Sequence, residues 1–129
     1  MGSTGQGKLR TAGGVLLWIL TVFELLGMGL AGVAKFQGDG WQNMFLGWGY
    51  PAWLALAVGA AEVVGALFIL VPRFATYAAA MLIVIMLGAI WTVASPGNET
   101  NLGPVLPTIH VAVLSIILYA RRGRRWRPR

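Results

Sequence analysis

The sequence predicts an all-α membrane protein: a four-transmembrane-helix antiparallel bundle with a short interfacial helix in its first outer loop. Three observations carry that expectation. The 129 residues are 57% hydrophobic and only 11% charged, against about 25% charged in a soluble domain; the mean hydropathy is +0.72. The ten Lys/Arg and four Asp/Glu are so placed that four long stretches hold one charge or none. Turn residues separate those stretches, and the period-2 alternation of a membrane barrel is missing.

The first span is expected at about 12–34, interrupted only by Glu24. A cleaved signal peptide has an apolar region of about 7–15 residues. This stretch is longer and carries a glutamate, so it reads as a retained helix. In the outer loop, 35–50, Trp41, Phe45 and Trp48 fall at i, i+4 and i+7, one face of a helix. Asp39 stands where a cap would, with Gln42 at the third helical position. Such a helix would lie at the membrane surface, as part of an aromatic belt or as a lid over a pocket; the belt is the simpler reading.

The second span is expected at 51–71, with Glu62 as its one charge, and Val71-Pro72-Arg73 as a tight turn after it. The third, 74–94, holds no charge and is ended by Ser95-Pro96-Gly97-Asn98. The fourth is expected at 102–120. Pro104 fits its first turn, whereas Pro107 lies deeper and is expected to kink it. An Arg-rich tail, 121–129, follows, and the whole of 1–129 reads as a single membrane domain.

Four spans put both termini on one side. That side would carry Lys8, Arg10, Arg73 and the six tail arginines, nine basic residues against Lys35 alone on the other. The asymmetry places both termini in the cytoplasm, with the bacterial cytoplasmic membrane as the expected location. A basic cluster directly after a cytoplasmic helix end attracts anionic lipid, at roughly 1 kcal/mol per residue. Arg121, Arg122, Arg124, Arg125, Arg127 and Arg129 are therefore read as lipid or partner contacts, as are Trp41, Phe45 and Trp48. The expected partners are a bilayer with anionic lipids and a protein of a membrane complex or a second copy, not nucleic acid.

Several chemistries are excluded. The chain has no cysteine, which removes disulfides, thiolate metal sites, Fe–S clusters and dithiol redox. A single histidine, His110, cannot supply two axial haem ligands. No metal site is expected and no cofactor is evident, with quinone the one candidate.

What remains is the set of ionisable groups within the spans. Such a group costs several kcal/mol at the bilayer centre and is a functional-site hypothesis by default. Glu24 and Glu62 are each near the middle of a span, and antiparallel directions bring them to a similar depth. His110 enters near that level, somewhat outward. Gly59, Gly65 and Ala66 share a face with Glu62, and Thr21, Gly27, Ala31 and Lys35 share one with Glu24. Small neighbours permit close helix packing, so both carboxyls should face the interior. One polar cluster is expected, in which two nearby carboxyls share a proton. Lys35 is eleven residues beyond Glu24, about 16 Å along a helix, too far to pair with it; it is either a fourth member of the site or snorkels to headgroups. Three readings stand: structural glue between helices, a ligand or quinone pocket, and proton conduction.

The residues also resemble a family. Ala31-Gly32-Val33-Ala34-Lys35-Phe36 closes the first span, and Gly49-Tyr50-Pro51-Ala52-Trp53-Leu54 opens the second. Gly59-Ala60-Ala61-Glu62-Val63-Val64-Gly65-Ala66-Leu67, then Pro72-Arg73, then Met86-Leu87-Gly88-Ala89-Ile90-Trp91-Thr92 follow in order. Over residues 12–94 the sequence resembles the DoxX/DoxX-like family of small four-helix membrane proteins. The resemblance implies a four-helix bundle, with Lys35, Glu62 and Arg73 as its matching polar positions. It also implies one of the roles its relatives take: part of a thiosulfate:quinone oxidoreductase, part of an oxidative-stress membrane complex, or receptor assembly.

The first expectation is therefore an accessory or assembly subunit of a larger membrane complex, not catalytic alone. The alternative is a quinone-linked oxidoreductase subunit that supplies buried proton-handling residues, and the third a proton-coupled small-molecule carrier. The ligand or proton-handling candidates are Glu24, Glu62, His110 and Lys35.

Overall fold

The apolar stretches become helices because hydrocarbon offers their backbone no other hydrogen-bond partner. The structure, a computed structural model, describes residues 2–98 and 103–125, with side chains over 11–98 and 103–122. Among the described residues there are five helices and no strand: α1 (Gly2–Ala34), α2 (Gly40–Gly47), α3 (Ala52–Phe68), α4 (Ala75–Ala94) and α5 (Val105–Arg125).

α1 starts ten residues before the expected boundary, because the polar N-terminal segment continues the apolar span without a break. It ends in tight i→i−3 bonds: the N–H groups of Lys35, Phe36 and Gln37 donate to the carbonyls of Gly32, Val33 and Ala34. Gly38, at φ 73°, then turns the chain toward α2. Asp39 holds the N-cap position without a side-chain cap bond. α3 ends three residues short of the expected boundary, in turns closed by Leu70 and Val71 ahead of Pro72.

α3 has 17 residues, about 26 Å, less than the roughly 20 residues of a straight crossing. Among the described residues three helices are long and apolar enough to cross a membrane: Thr11–Ala34, Ala75–Ala94 and Val105–Arg122. A fourth span exists only if α2 and α3, bent by 119°, are taken together. The expected four-span bundle is thus three or four candidate spans.

The expected start of the last helix, 102, lies outside the described residues. α5 begins at Val105 and runs to Arg125, past the expected end at 120. Pro107 is its third residue, so the missing N–H is one of those that no helix pairs. The carbonyl four residues earlier belongs to Gly103, before the helix. The physical reason for a kink at Pro107 is therefore gone.

α1 packs on α3 and α5, α4 packs on α3 and α5, and α2 packs on α3. The four long helices thus form a ring in the order α1, α3, α4, α5. The buried face of α1 is Leu17, Thr21, Glu24, Met28 and Gly32, continued by Lys35 just after its end, all spaced by three or four residues. At the α1–α3 crossing a Cβ on Gly32 would stand 2.7 Å from the Gly59 carbonyl oxygen, and one on Gly59 2.9 Å from that of Gly32. Only glycine permits that approach. The core joins Leu17 and Met28 with Ile69, Leu82, Leu114 and Ile117. Large apolar side chains face outward all around, as a lipid-facing surface requires. Trp53 and Trp91 are exposed toward the α2 end, and Trp18, Tyr77 and Tyr119 toward the opposite end, where two interfacial belts would be.

Candidate functional site

α1 and the turn that closes it carry two ionisable side chains into the bundle, Glu24 and Lys35, and each finds a partner of opposite type. Glu24 is fully buried, and His110 Nδ1 lies 3.1 and 3.0 Å from its two carboxylate oxygens. The imidazole stacks on Phe23 at 5.6 Å between ring centres. It also rests on Gly27, where a Cβ would stand 2.7 Å from Cε1. Gly27 thus makes the room that the imidazole occupies. Among the described residues the other ring nitrogen, Nε2, has no hydrogen-bond partner.

Glu62, on α3, is 2% exposed, and Lys35 Nζ donates to its Oε2 at 2.7 Å. Nζ also donates to the Ala31 carbonyl at 3.4 Å and stands 4.3 Å from the centre of the Trp41 ring. Lys35 is 5% exposed; it does not snorkel outward, because a buried carboxylate and an aromatic face compete with the headgroups for it.

The cluster is therefore two acid–base pairs. Among the described residues no hydrogen bond joins the two carboxyls, and they are not abreast. Gly32 and Gly29 of α1 lie against Gly59, Val63 and Ala66 of α3. Carried along antiparallel helices, that register sets Glu62 beside residues 29–33 of α1, five to nine residues from Glu24. The offset is about 8–13 Å along the axis. The similar depth expected from mid-span positions fails because α1 starts its apolar span earlier than α3 relative to their crossing. From the bundle centre toward α2 the order is Glu24, His110, Glu62, Lys35.

These groups border a cavity of about 730 Å³ at the α2 end of the ring. Lys35, Glu62 and His110 line it, with Met28, Ile85 and Met86 among its apolar walls. α2 covers one side. Its Trp41, Phe45 and Trp48 line the cavity, so the face that a headgroup belt would need is turned inward; Met44 also borders the cavity while partly exposed, and Leu46 points out. Sequence reasoning did not single out Tyr50 and Thr92, which also line the cavity and whose hydroxyls share a hydrogen bond of 2.9 Å. Both stood in the family-like motifs, the one available signal. Among the described residues no group of three His, Asp or Glu could hold a metal ion.

The tail arginines separate. Arg121 is buried, its guanidinium 5.7 Å from the Trp18 ring centre, so it ties α5 to α1. Arg122 is exposed. The side chains of Arg124 and Arg125, and all of Arg127 and Arg129, lie outside the described residues. Arg73 is exposed at the α3–α4 turn, 5.5 Å from the Phe74 ring centre.

Neither a curated protein nor a solved structure matches this chain. A family model does, over residues 19–118, which takes in all of α2, α3 and α4, the second half of α1, most of α5, and every cavity-lining ionisable group. With apolar helices of spanning length and that match, the chain is a membrane protein that belongs to the DoxX-like family.

Proposed function

We propose that this DoxX-like protein is a four-span subunit of a larger membrane complex, and that its cavity binds a quinone-type ligand. The observation that carries the reading is the cavity: about 730 Å³, mostly apolar, with Lys35, Glu62 and His110 on its walls. Ligand sites are of this size and combine apolar walls with a few polar groups. A quinone is an apolar ring with two carbonyl acceptors, and the Lys35 ammonium and the imidazole are donors at hand.

Reduction of a quinone takes two electrons and two protons. The two acid–base pairs hold protons beside the cavity; Glu24 at Nδ1 orients the ring and leaves Nε2 as the exchanging nitrogen. The sequence has no cysteine and one histidine, so the electrons would come from a partner subunit. That dependence keeps the accessory role within the same reading.

Counting α2 with α3 as a span gives four, and both termini then share a side. The excess of Lys/Arg at that side supports a cytoplasmic placement in a bacterial membrane. A packed apolar core at the opposite end from the cavity supports a pocket over a carrier's path across.

The test is gentle purification, mass spectrometry of retained lipids and quinones, and titration with a quinone analogue. The Lys35→Met/Glu62→Gln double variant removes both charges and keeps the volume. It should fold and bind the analogue at least about tenfold more weakly. Equal binding by wild type and double variant would refute the reading. If Glu62 is only glue, Glu62→Gln should leave the activity of the host complex intact; if it handles protons, the variant should fold and lose that activity.

A further inference from the structure

The cavity has a side window between α3 and α4. Two ties frame it. Toward the bundle centre Gly65 is in contact with Leu82 and Met81, so closely that a Cβ there would stand 2.7 Å from a Leu82 methyl. At the α2 end Tyr50, just before α3, bonds to Thr92 on α4. Between these ties Leu54 and Val58 of α3 and Val84, Ile85 and Gly88 of α4 all line the cavity.

The register identifies what fails to close the gap. From the contact of Gly65 with 81–82, seven residues along each antiparallel helix bring Val58 abreast of 88–89. Residue 88 is glycine, and a Cβ built there meets nothing within 4 Å. Val84, one turn away, lines the cavity and is nevertheless 68% exposed. One side chain thus borders both the cavity and the outside. Val84 and Gly88 are in the middle of a 20-residue apolar helix, so in a membrane that outside is hydrocarbon, not water.

We infer that the cavity is loaded sideways from the lipid, through the Val58–Gly88 window. Its ligand is accordingly a tailed amphiphile, with the polar head at Lys35, Glu62 and His110 and the tail left in the window. This rests on the quinone reading and narrows it, since it requires a membrane-borne, long-tailed molecule and not a small soluble one. A water-soluble ligand needs no opening at this depth, and a cavity of about 730 Å³ takes a head group without needing to hold a long chain as well.

The experiment compares two probes on the full chain in detergent: a decyl-tailed benzoquinone and the same ring without its tail. Binding is read by native mass spectrometry for wild type, Gly88→Phe and Val84→Phe. Gly88→Phe fills the open space. Val84→Phe changes a side chain that is already mostly exposed and so tests the same window with little packing at stake. Both variants should weaken the tailed probe at least about tenfold and leave the tailless probe within about twofold. Equal losses for both probes, or no loss for either, would overturn lateral loading while the pocket reading stands. A wild type that binds only the tailless probe would overturn it too. If wild type binds neither probe, the quinone reading fails and the window proposal falls with it.

Discussion

Replacing Lys35 by methionine keeps a stem of similar length and removes the ammonium, which makes it the sharpest probe of the α1–α3 pair. At 2.7 Å and an effective dielectric constant of about 20, two unit charges attract by about 6 kcal/mol. Each ion gives up several kcal/mol of hydration on burial, so the intact pair is close to break-even. Losing one partner is different. Glu62 would be left 2% exposed without its base, a loss of about 3–5 kcal/mol. Glu62→Gln should cost less, about 2 kcal/mol, because the Trp41 face and the Ala31 carbonyl still hold the ammonium. The double variant should lose no more than Lys35→Met alone, a coupling of about 2 kcal/mol or more. The assay is reversible unfolding in mixed micelles, followed by circular dichroism, for the four members of the cycle. Losses that simply add, within about 0.5 kcal/mol, would refute the pair as an energetic unit.

Two further outcomes are expected. Gly32→Ala should destabilise by about 2–3 kcal/mol, since its Cβ would meet backbone atoms of Gly59 and Val63 at 2.7 and 3.1 Å that cannot swing aside, whereas Gly88→Ala, in open space, should stay within about 0.5 kcal/mol; melting of both variants in one detergent tests the contrast. Reporter fusions after Arg129 and within 35–50 should read cytoplasmic and external respectively, and a tail reporter active outside would reject the orientation proposed from the Lys/Arg asymmetry.

The sequence made the helices legible to within a few residues at most ends, because in a membrane an apolar run has so few alternatives. The α1 face was legible for the same reason: Thr21, Glu24 and Lys35 follow helical spacing that lipid would punish if turned outward. The choice of partners was not. Which base meets which acid depends on the α1–α3 and α1–α5 registers, and those are set by contacts between residues tens of positions apart, such as Gly32 with Gly59 and Gly27 with His110. Lys35 shows the consequence. A lysine at a span end ordinarily reaches for headgroups, and nothing local says that Glu62 and Trp41 will be nearer. The turn of Trp41, Phe45 and Trp48 inward is equally non-local. Their spacing gives one face, but only the 119° bend between α2 and α3 decides that this face looks into the bundle.

The placement of the polar groups bears on what the bundle can do. Glu24 is the deepest of them, close to the middle of the apolar stretch Thr11–Ala34. At its level and beyond, the registers put Ile69, Leu114 and Ile117, all fully buried, with Leu17 further along α1. Thr21, the next polar side chain, spends its hydroxyl on the Leu17 carbonyl of its own helix at 2.8 Å. Among the described residues the polar file therefore runs from the cavity to Glu24 and stops there, with the apolar core between it and Arg121 at the opposite end. A proton given up by the Glu24–His110 pair would have to be replaced from the cavity side, through the ligand or through water there. That arrangement suits a pair that lends protons to a bound molecule, and a pump would need the apolar half to open.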